Sequence, residues 1–526
     1  MGAEYYVEAF TAEEQRLLAA HVTNLDRPVF ALTNLPQVTA AALFARYSRS
    51  AKSLRRLLLD EFLAGGSVDT STISAGRERA SDLFGRVLAE YGDDSVAQLA
   101  GVHLACEQVS QQLAKAIEWG RLAAYLEQST RYIPYTDRRD GHYRYLRDQD
   151  LLASPQGATY VSAMDRLFDT YAELREPLMR HLDETLPAAP DEKARKRAIR
   201  SLALDVMRGL LPAGTVSNVG MYASPQAYEQ LVLRLRAHQL PEARWYAELI
   251  NAELQDVIPE FLTRLDRPER GGAWVDYLRE TAAALAVDAD GLSPESEWGP
   301  PGVTLVNWDS DGEERILAAA LFPYSHASQE RLLAAVRPLS ESRRATLFAA
   351  AVGERGNRRH RPGRGFEHCD YTFEVVSDYG AFRDLQRHRL LTIQWQELTP
   401  ALGYAVPEAV SAAGLADGWN GAVHEAEAAY QDIVKTFPQQ AGYLVTLGHR
   451  VRYMIKLNAR EAMHMIELRT SPQGHPSYRQ ICQEMLRLID EVAGHHLVAG
   501  AMTFAGSDDV HLPRYAAEAA HPSAGD

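Results

Sequence analysis

Between about Asp266 and Gly302 the chain turns to Pro, Gly, Asp and Ser, in DRPERGG and then DADGLSPESEWGPPG, around one short helical stretch from Val275 to Val287. Such a segment reads as a connector. Across it the sequence repeats: AAALF stands at 40–44 and again at 318–322, an offset of 278. Tyr-Ser follows both times, at Tyr47-Ser48 and Tyr324-Ser325, before a polar segment and further helix. A length of 526 would otherwise suit three or four unrelated domains. A long-offset repeat restricts the chain to two versions of one unit, 1–265 and 303–526, with 266–302 between them.

Composition excludes several classes. At 46% apolar and 24% charged residues a large core is available and wholesale disorder is ruled out. Lys+Arg at 55 against Asp+Glu at 70 gives a net charge of −15, a field that repels nucleic acid and anionic membrane. Any anion site must therefore be local. Cys106, Cys369 and Cys482 are too few and too scattered for a disulfide framework or a zinc ribbon. The N-terminal MGAEYYVEAFTAEEQ has neither a basic nor an apolar signal region, and no stretch approaches the 18 or so apolar residues of a spanning helix. A cytoplasmic protein without a membrane partner is expected.

Each half runs in the same order. Asp370 to Ser377 alternates, with Tyr371, Phe373 and Val375 on one face, and predicts a strand. Phe382 and Leu385 to Arg389 then sit at helical spacing, and LLTIQW is extended. Val102 through Glu118 to RLAAYLEQSTRY is compatible with the same pattern. From Val451, the positions Val451, Met454, Ile455, Ala462, Met465 and Ile466 predict one long helix, with Arg460 and His464 on another face. The class is α+β, built twice.

The densest cationic cluster is Arg387-His388-Arg389, with Arg383 one turn earlier and apolar Phe382, Leu385, Leu390 and Leu391 around it. Three adjacent cations are costly to bury without an anion. The cluster is either a solvated basic face or a seat for a phosphate or a reduced flavin. Upstream, ERGNRRHRPGRGFEH packs Arg355, Arg358, Arg359, His360, Arg361 and Arg364 among glycines, as an exposed loop, a pyrophosphate wrap or an RNA-binding loop. His360, His368, Cys369 and Asp370 match no familiar metal spacing. Glu127, Ser129 and Arg131 alternate; if extended, they share one face, either as a polar outer edge or as a holder of nucleotide phosphate and sugar.

These residues resemble the flavin-dependent thymidylate synthases, whose signature is Arg-His-Arg, two residues, Ser, one residue, Asn-Glu, one residue, Ser, one residue, Arg-Tyr. RHRLLTIQWQELTP keeps Arg387, His388 and Arg389, places Thr392 at the first serine, and then departs at Trp395, Glu397 and Thr399. WGRLAAYLEQSTRY has Trp119 and Gly120 for the leading pair, keeps Arg121, puts Ala124 at the first serine, and retains Glu127, Ser129, Arg131 and Tyr132. Phe366-Glu367-His368 matches a family Phe-Glu-His, for which the first half offers only GDDSVAQ. Asn458-Ala459-Arg460 matches the Asn-x-Arg that contacts FAD, and Leu468-Arg469 the Leu-Arg closing that helix. RGLLP offers Arg208 and LRLRA offers Arg236; the Ala-Gln-x-Glu after that arginine is missing from both halves. Arg208 would belong beside the Arg-His-Arg element yet lies in the opposite half.

The resemblance implies two tandem diverged copies of the flavin-dependent thymidylate synthase fold, one keeping the nucleotide side and the other the flavin side. It implies reductive methylation of dUMP to dTMP, with FAD as hydride carrier and NADPH and methylenetetrahydrofolate as co-substrates. Arg131, Glu127, Ser129 and Arg208 would hold dUMP, and Arg236 would stabilise charge on the uracil carbonyl. Glu367, Arg387, His388, Arg389, Asn458 and Arg460 would surround FAD, with Arg387 also reaching dUMP. Ser129, Arg236 and Arg387 would be the catalytic group, without a metal. Since the family is tetrameric, a homodimer would reproduce its assembly. A catalytically degenerate flavin- or nucleotide-binding paralogue, regulatory or scaffolding, is the alternative, and a flavin enzyme for another pyrimidine or folate a third. RNA binding is disfavoured by the charge and by the lack of interleaved aromatics in the arginine loop.

Overall fold

From Arg450 to Asn458 the residues Val451, Tyr453, Ile455 and Leu457 are buried, while Met454 is exposed. That period of two makes a strand, not the first turns of a long helix, and the helix begins only at Ala459. The four-residue spacing of Val451 and Ile455 matches both periods, whereas Met454 fits only the helix; the strand is selected by its pairing on both edges. The computed structural model that shows this describes residues 7–28, 30–47, 50, 52–63, 98–292, 300–506 and 513–519. Ser48, most of GDDSVAQ (92–97) and the 293–299 part of the connector lie outside the described residues.

The protein mixes helix and sheet, an α+β architecture, and divides into two compact units. One comprises Met1–Glu107, Leu122–Glu127 and Asn218–Pro294; the other comprises Gln108–Arg121, Gln128–Ser217 and Glu295–Asp526. The second unit thus draws on both sides of the connector, because compactness follows packing whereas a repeat follows descent of sequence.

In the first unit, strands β1 (Val102–Ser110), β2 (Ala123–Glu127) and β3 (Val216–Ala223) form a sheet in the order β1-β3-β2, although the ends of β1 and β3 run on into the second unit. Strand β2 pairs antiparallel with β3, from Ala123 opposite Ala223 to Glu127 opposite Val219. The helices Pro225–Ala237 and Pro241–Val257 follow, and the Tyr228 and Tyr246 hydroxyls donate to the carbonyls of Val102 (3.0 Å) and Glu107 (2.6 Å). The connector carries a helix, Ala273–Leu292, longer than its sequence suggested.

In the second unit, β4 (Gly302–Trp308), β5 (Asp370–Asp378), β6 (Leu391–Trp395) and β7 (Arg450–Asn458) form an antiparallel sheet in the order β4-β5-β7-β6. Tyr371, Phe373 and Val375 are buried together, as their alternation predicts. The order β5-β7-β6 repeats β1-β3-β2, and β1 and β2 precede β5 and β6 by 268 residues.

Within the second unit a local two-fold relation is visible in the backbone. Residues 209–214 run antiparallel to 443–448: Ala213 N–H donates to Val445 (2.8 Å) and Leu447 N–H to Leu211 (2.8 Å), while Gly214 donates to Tyr443 (2.8 Å) and Gly448 to Gly209 (2.9 Å). Two short helices hang from this ribbon alike. Gln111 and Gln112, opening Gln111–Ile117, donate to Thr215 and Ala213. Tyr379 and Gly380, opening Tyr379–Leu385, donate to His449 and Leu447. Each helix has a side-chain cap, Ser110 accepting from Leu113 N–H and Asp378 from Ala381 N–H. The ribbon satisfies backbone groups that burial would otherwise leave costly.

Candidate functional site

The second helix of that pair is where the charges gather. Arg383 and Asp384 lie on Tyr379–Leu385, both buried, and Arg387 emerges exposed just beyond it. Asp384 accepts from Arg208 Nη1 at 3.1 Å, so Arg208, from before the connector, meets the helix that leads to Arg387. The opposite-half placement of Arg208 is thus resolved in space. Its side chain is only 4% exposed, and its Nη2 has no hydrogen-bond partner. A buried guanidinium with an unused donor is a costly arrangement that an anion would relieve.

Arg131 enters from a turn. The strand predicted for Glu127, Ser129 and Arg131 stops at Glu127, and Ser129 Oγ accepts from the Arg131 N–H at 3.2 Å. The three do not share a strand face, because the chain leaves the β-ladder after Glu127. Arg131 donates through Nε and Nη2 to both oxygens of Asp205 (2.6 and 2.7 Å), through Nη1 to Tyr478 Oη (3.1 Å) and through Nη2 to the Gln473 carbonyl (3.1 Å). Arg514, on the helix Pro513–Ala519, also meets Asp205 and donates to Glu518 at 2.8 Å.

The field in this cluster is positive. Burial alone would raise the Asp384 carboxyl, but Arg208, Arg387, Arg131 and Arg469 hold it well below the usual carboxylate range. Burial pushes Asp378 up despite Arg208 and the Ser477 hydroxyl, and it pushes His475 far down, helped by Arg208 and Arg131. Arg131, Arg208, Arg383, Arg387, Arg469 and Arg514 gather around Asp205, Asp378 and Asp384, so guanidinium groups outnumber carboxylates there.

His388 is buried with both ring nitrogens engaged, Nδ1 against Glu461 Oε1 (2.8 Å) and Nε2 accepting from Arg469 Nε (3.0 Å). Burial lowers it to about 4. Glu461 also receives His464 (3.1 Å), and the three could face one cation. The Arg469 donor argues against that: a metal on Nδ1 would need the proton on Nε2, where Arg469 already donates. His388 instead positions Arg469.

Glu367 takes Arg364 (2.9 Å) and Arg460 Nη1 (3.4 Å), while Arg460 Nε donates to the Pro362 carbonyl (2.8 Å). Glu367 and Arg364 border a groove of about 800 Å³ also lined by Phe322, Tyr324, Gly363 and His368, with the Tyr324 ring exposed. Asn458 caps the helix Ala459–Arg469 by accepting from Glu461 N–H, which sets Arg460 on its first turn. Arg389 is exposed. Not every arginine of the preceding loop faces outward: Arg355 makes a buried bidentate pair with Glu467 (2.7 and 2.5 Å).

In the other unit, Glu127 is buried at the end of β2. Arg236 donates to Glu248 (2.8 and 2.8 Å), Asp266 (2.8 Å) and the Leu265 carbonyl (3.1 Å), a structural anchorage. The sequence had singled out Arg131, Arg208 and Arg387; it passed over Asp205, Asp384, His475 and Tyr478. One signal was available, since Asp205 and Asp384 each stand three residues before an arginine of interest.

Together these features define a mixed helix-and-sheet protein with a buried, arginine-rich cluster drawn from both sides of the connector. The chain belongs to the Thy1 family, described as thymidylate synthase complementing protein, whose model matches residues 34–260 and 304–494; this is the flavin-dependent thymidylate synthase family that its motifs resemble. A UPF0159 protein of Chlamydia muridarum is 38% identical over 491 residues, 91% of this chain and 92% of that one. The UPF0159 protein Ta1429 of Thermoplasma acidophilum is 30% identical over 510 residues, 91% of this chain and 98% of that one. A crystal structure of a UMP/dUMP methylase, PolB from Streptomyces cacaoi, bound with 5-Br dUMP, is 18% identical, with a TM-score of 0.33, covering 39% of this chain and 95% of that chain. Among the described residues no helix is long and apolar enough to cross a membrane.

Proposed function

We propose that the chain is a flavin-dependent thymidylate synthase, converting dUMP to dTMP with methylenetetrahydrofolate and NADPH, in the cytoplasm. The observation that carries this reading is the meeting of Arg131 and Arg208 with the Arg387 helix around Asp384, with positive charge in excess. A phosphate monoester dianion supplies the missing charge. Arg208 Nη2 would donate to it, and Arg131, now split between Asp205 and Tyr478, would turn part of its guanidinium toward it. Ser129 would orient the nucleotide near Arg131. Glu127 and Arg236 keep their proposed roles toward the sugar and the uracil carbonyl, although Arg236 would first have to loosen its carboxylates.

The groove beside Glu367 would suit a flavin dinucleotide: it has the volume, an exposed aromatic ring in Tyr324, and Arg364 for a phosphate. Arg387, Arg389, Arg460 and Asn458 would hold it together with Arg364, Glu367 would order Arg364 and Arg460, and His388 would fix Arg469. FAD, when bound, supplies the hydride, and the folate supplies the one-carbon unit. The chain's task is orientation and charge balance. We further propose that 1–265 and 303–526 are diverged copies of the family fold. The repeated strand order and the two-fold ribbon support this, and a homodimer would then match the family tetramer.

A second reading, a degenerate binding paralogue, is favoured by Asp205 engaging Arg131 bidentately and by two carboxylates holding Arg236. Rescue of a thymidine-requiring strain separates the two: growth supports the enzyme, and failure by a soluble, flavin-loaded protein supports the paralogue. Reconstitution with FAD should give a yellow protein; Arg387→Ala should remove FAD and also weaken dUMP binding, whereas Arg131→Ala should spare FAD and weaken dUMP binding.

A further inference from the structure

The local two-fold relation requires that any site built on one side of the ribbon has a twin position on the other. Moving by the spacings that relate the two halves, 268 residues around the strands and 234 around the ribbon, identifies what stands there. Asp384 becomes Ala116, Arg387 becomes Trp119, Arg131 becomes Thr399, Asp205 becomes Gln439 and Arg208 becomes Gly442. Two cations are kept: Lys115 at the Arg383 position, spent on a buried ion pair with Glu118, and Arg121 at the Arg389 position, which donates to the Thr392 hydroxyl (2.9 Å).

The replacement is reciprocal at the crowded centre. A Cβ at Gly380 would come within 3.2 Å of Arg208 Nη2, so glycine there leaves room for the arginine. Its twin position holds Gln112, and a Cβ at Gly442 would come within 3.0 Å of the Gln112 amide oxygen. A side chain at 442 would have to displace the Gln112 amide. Where Arg387 emerges on one side, the Trp119 indole on the other donates to the Ile393 carbonyl (3.2 Å) and meets Trp395 edge-on at 5.8 Å.

We propose that each chain carries a single site for a phosphate dianion, at Arg131, Arg208 and Arg387, and that its pseudo-symmetric twin has become a structural contact between the two halves, made by the half-exposed Trp119. The surplus of guanidinium groups and the unused buried Arg208 Nη2 donor suit a doubly charged phosphate at the first site, whereas the twin lacks the Arg131, Arg208 and Arg387 equivalents and its lysine is neutralised. The dUMP identity of the ligand rests on the function proposed above; the count does not.

The test is equilibrium calorimetric titration of the full-length protein with dUMP and, separately, with inorganic phosphate. One saturable equivalent per chain is expected, lost entirely in Arg208→Gln and unchanged in count and affinity in Thr399→Ala. Two equivalents, or half the heat surviving in Arg208→Gln, would overturn the single-site inference while leaving the nucleotide reading intact. One phosphate bound without dUMP binding would sink the nucleotide reading and support the count. No binding of either ligand would sink both, and the wild-type count stands as the test even if Arg208→Gln does not fold.

Discussion

Asp384→Asn tests the charge balance of the cluster directly. The substitution is nearly isosteric and keeps an acceptor for Arg208 Nη1, but it removes the negative charge 3.1 Å from a guanidinium that is 4% exposed. At that distance one charge pair is worth about 5 kcal/mol with an effective dielectric of about 20. Breaking a buried pair typically costs about 3–5 kcal/mol. The variant should therefore lose about 3–5 kcal/mol in urea unfolding at pH 7.5, followed by tryptophan fluorescence. It should also gain more from added phosphate than the wild type, because Asp384 no longer repels the incoming anion. A ligand at about 100 times its Kd returns about 2.7 kcal/mol. A variant within about 0.5 kcal/mol of wild type, or equal gains from phosphate in both proteins, would refute the argument that Asp384 neutralises Arg208 in place of a ligand.

Arg355→Met should destabilise by about 3–5 kcal/mol through the stranded Glu467 carboxylate yet leave phosphate affinity unchanged; a weakened phosphate isotherm would return Arg355 to the anion-binding set. Gly312→Ala should cost about 1–3 kcal/mol, since its Cβ would lie 2.3 Å from Cys369 Sγ and 2.7 Å from His495, and an unshifted urea midpoint would contradict that packing. Burial lowers His388 and His238 to about 4, so between pH 4 and about 6.5 the unfolded chain binds more protons than the native one. Stability should be full above about pH 6.5 and fall by about 1.4 kcal/mol per pH unit for each histidine as the pH drops. His388→Asn should reduce that slope by one histidine's share; an unchanged slope would show that His388 does not contribute.

The strands β5 and β6 were legible because their apolar residues alternate and turns bound them. The first turns of the supposed helix at Val451 misled, because over six residues a period of 2 and a period of 3.6 share positions; pairing with β5 and β6 decided the matter. Likewise Glu127, Ser129 and Arg131 alternate in sequence, but the ladder ends at Glu127 and the serine turns back on the arginine's own amide.

Residue type and spacing by themselves determined the family and singled out the arginines of interest, and they supplied the repeat on which the proposed doubling rests, since those are properties of the chain read in order. They also revealed that the signature was divided between the halves. Tertiary structure alone decided which arginines meet. It set Arg208 against Asp384 across 176 residues, tied Arg131 to Asp205, and left the twin position with a neutralised lysine and a tryptophan. The reason is that a guanidinium's chemistry depends on what shares its burial, and burial brings together residues that no local pattern connects.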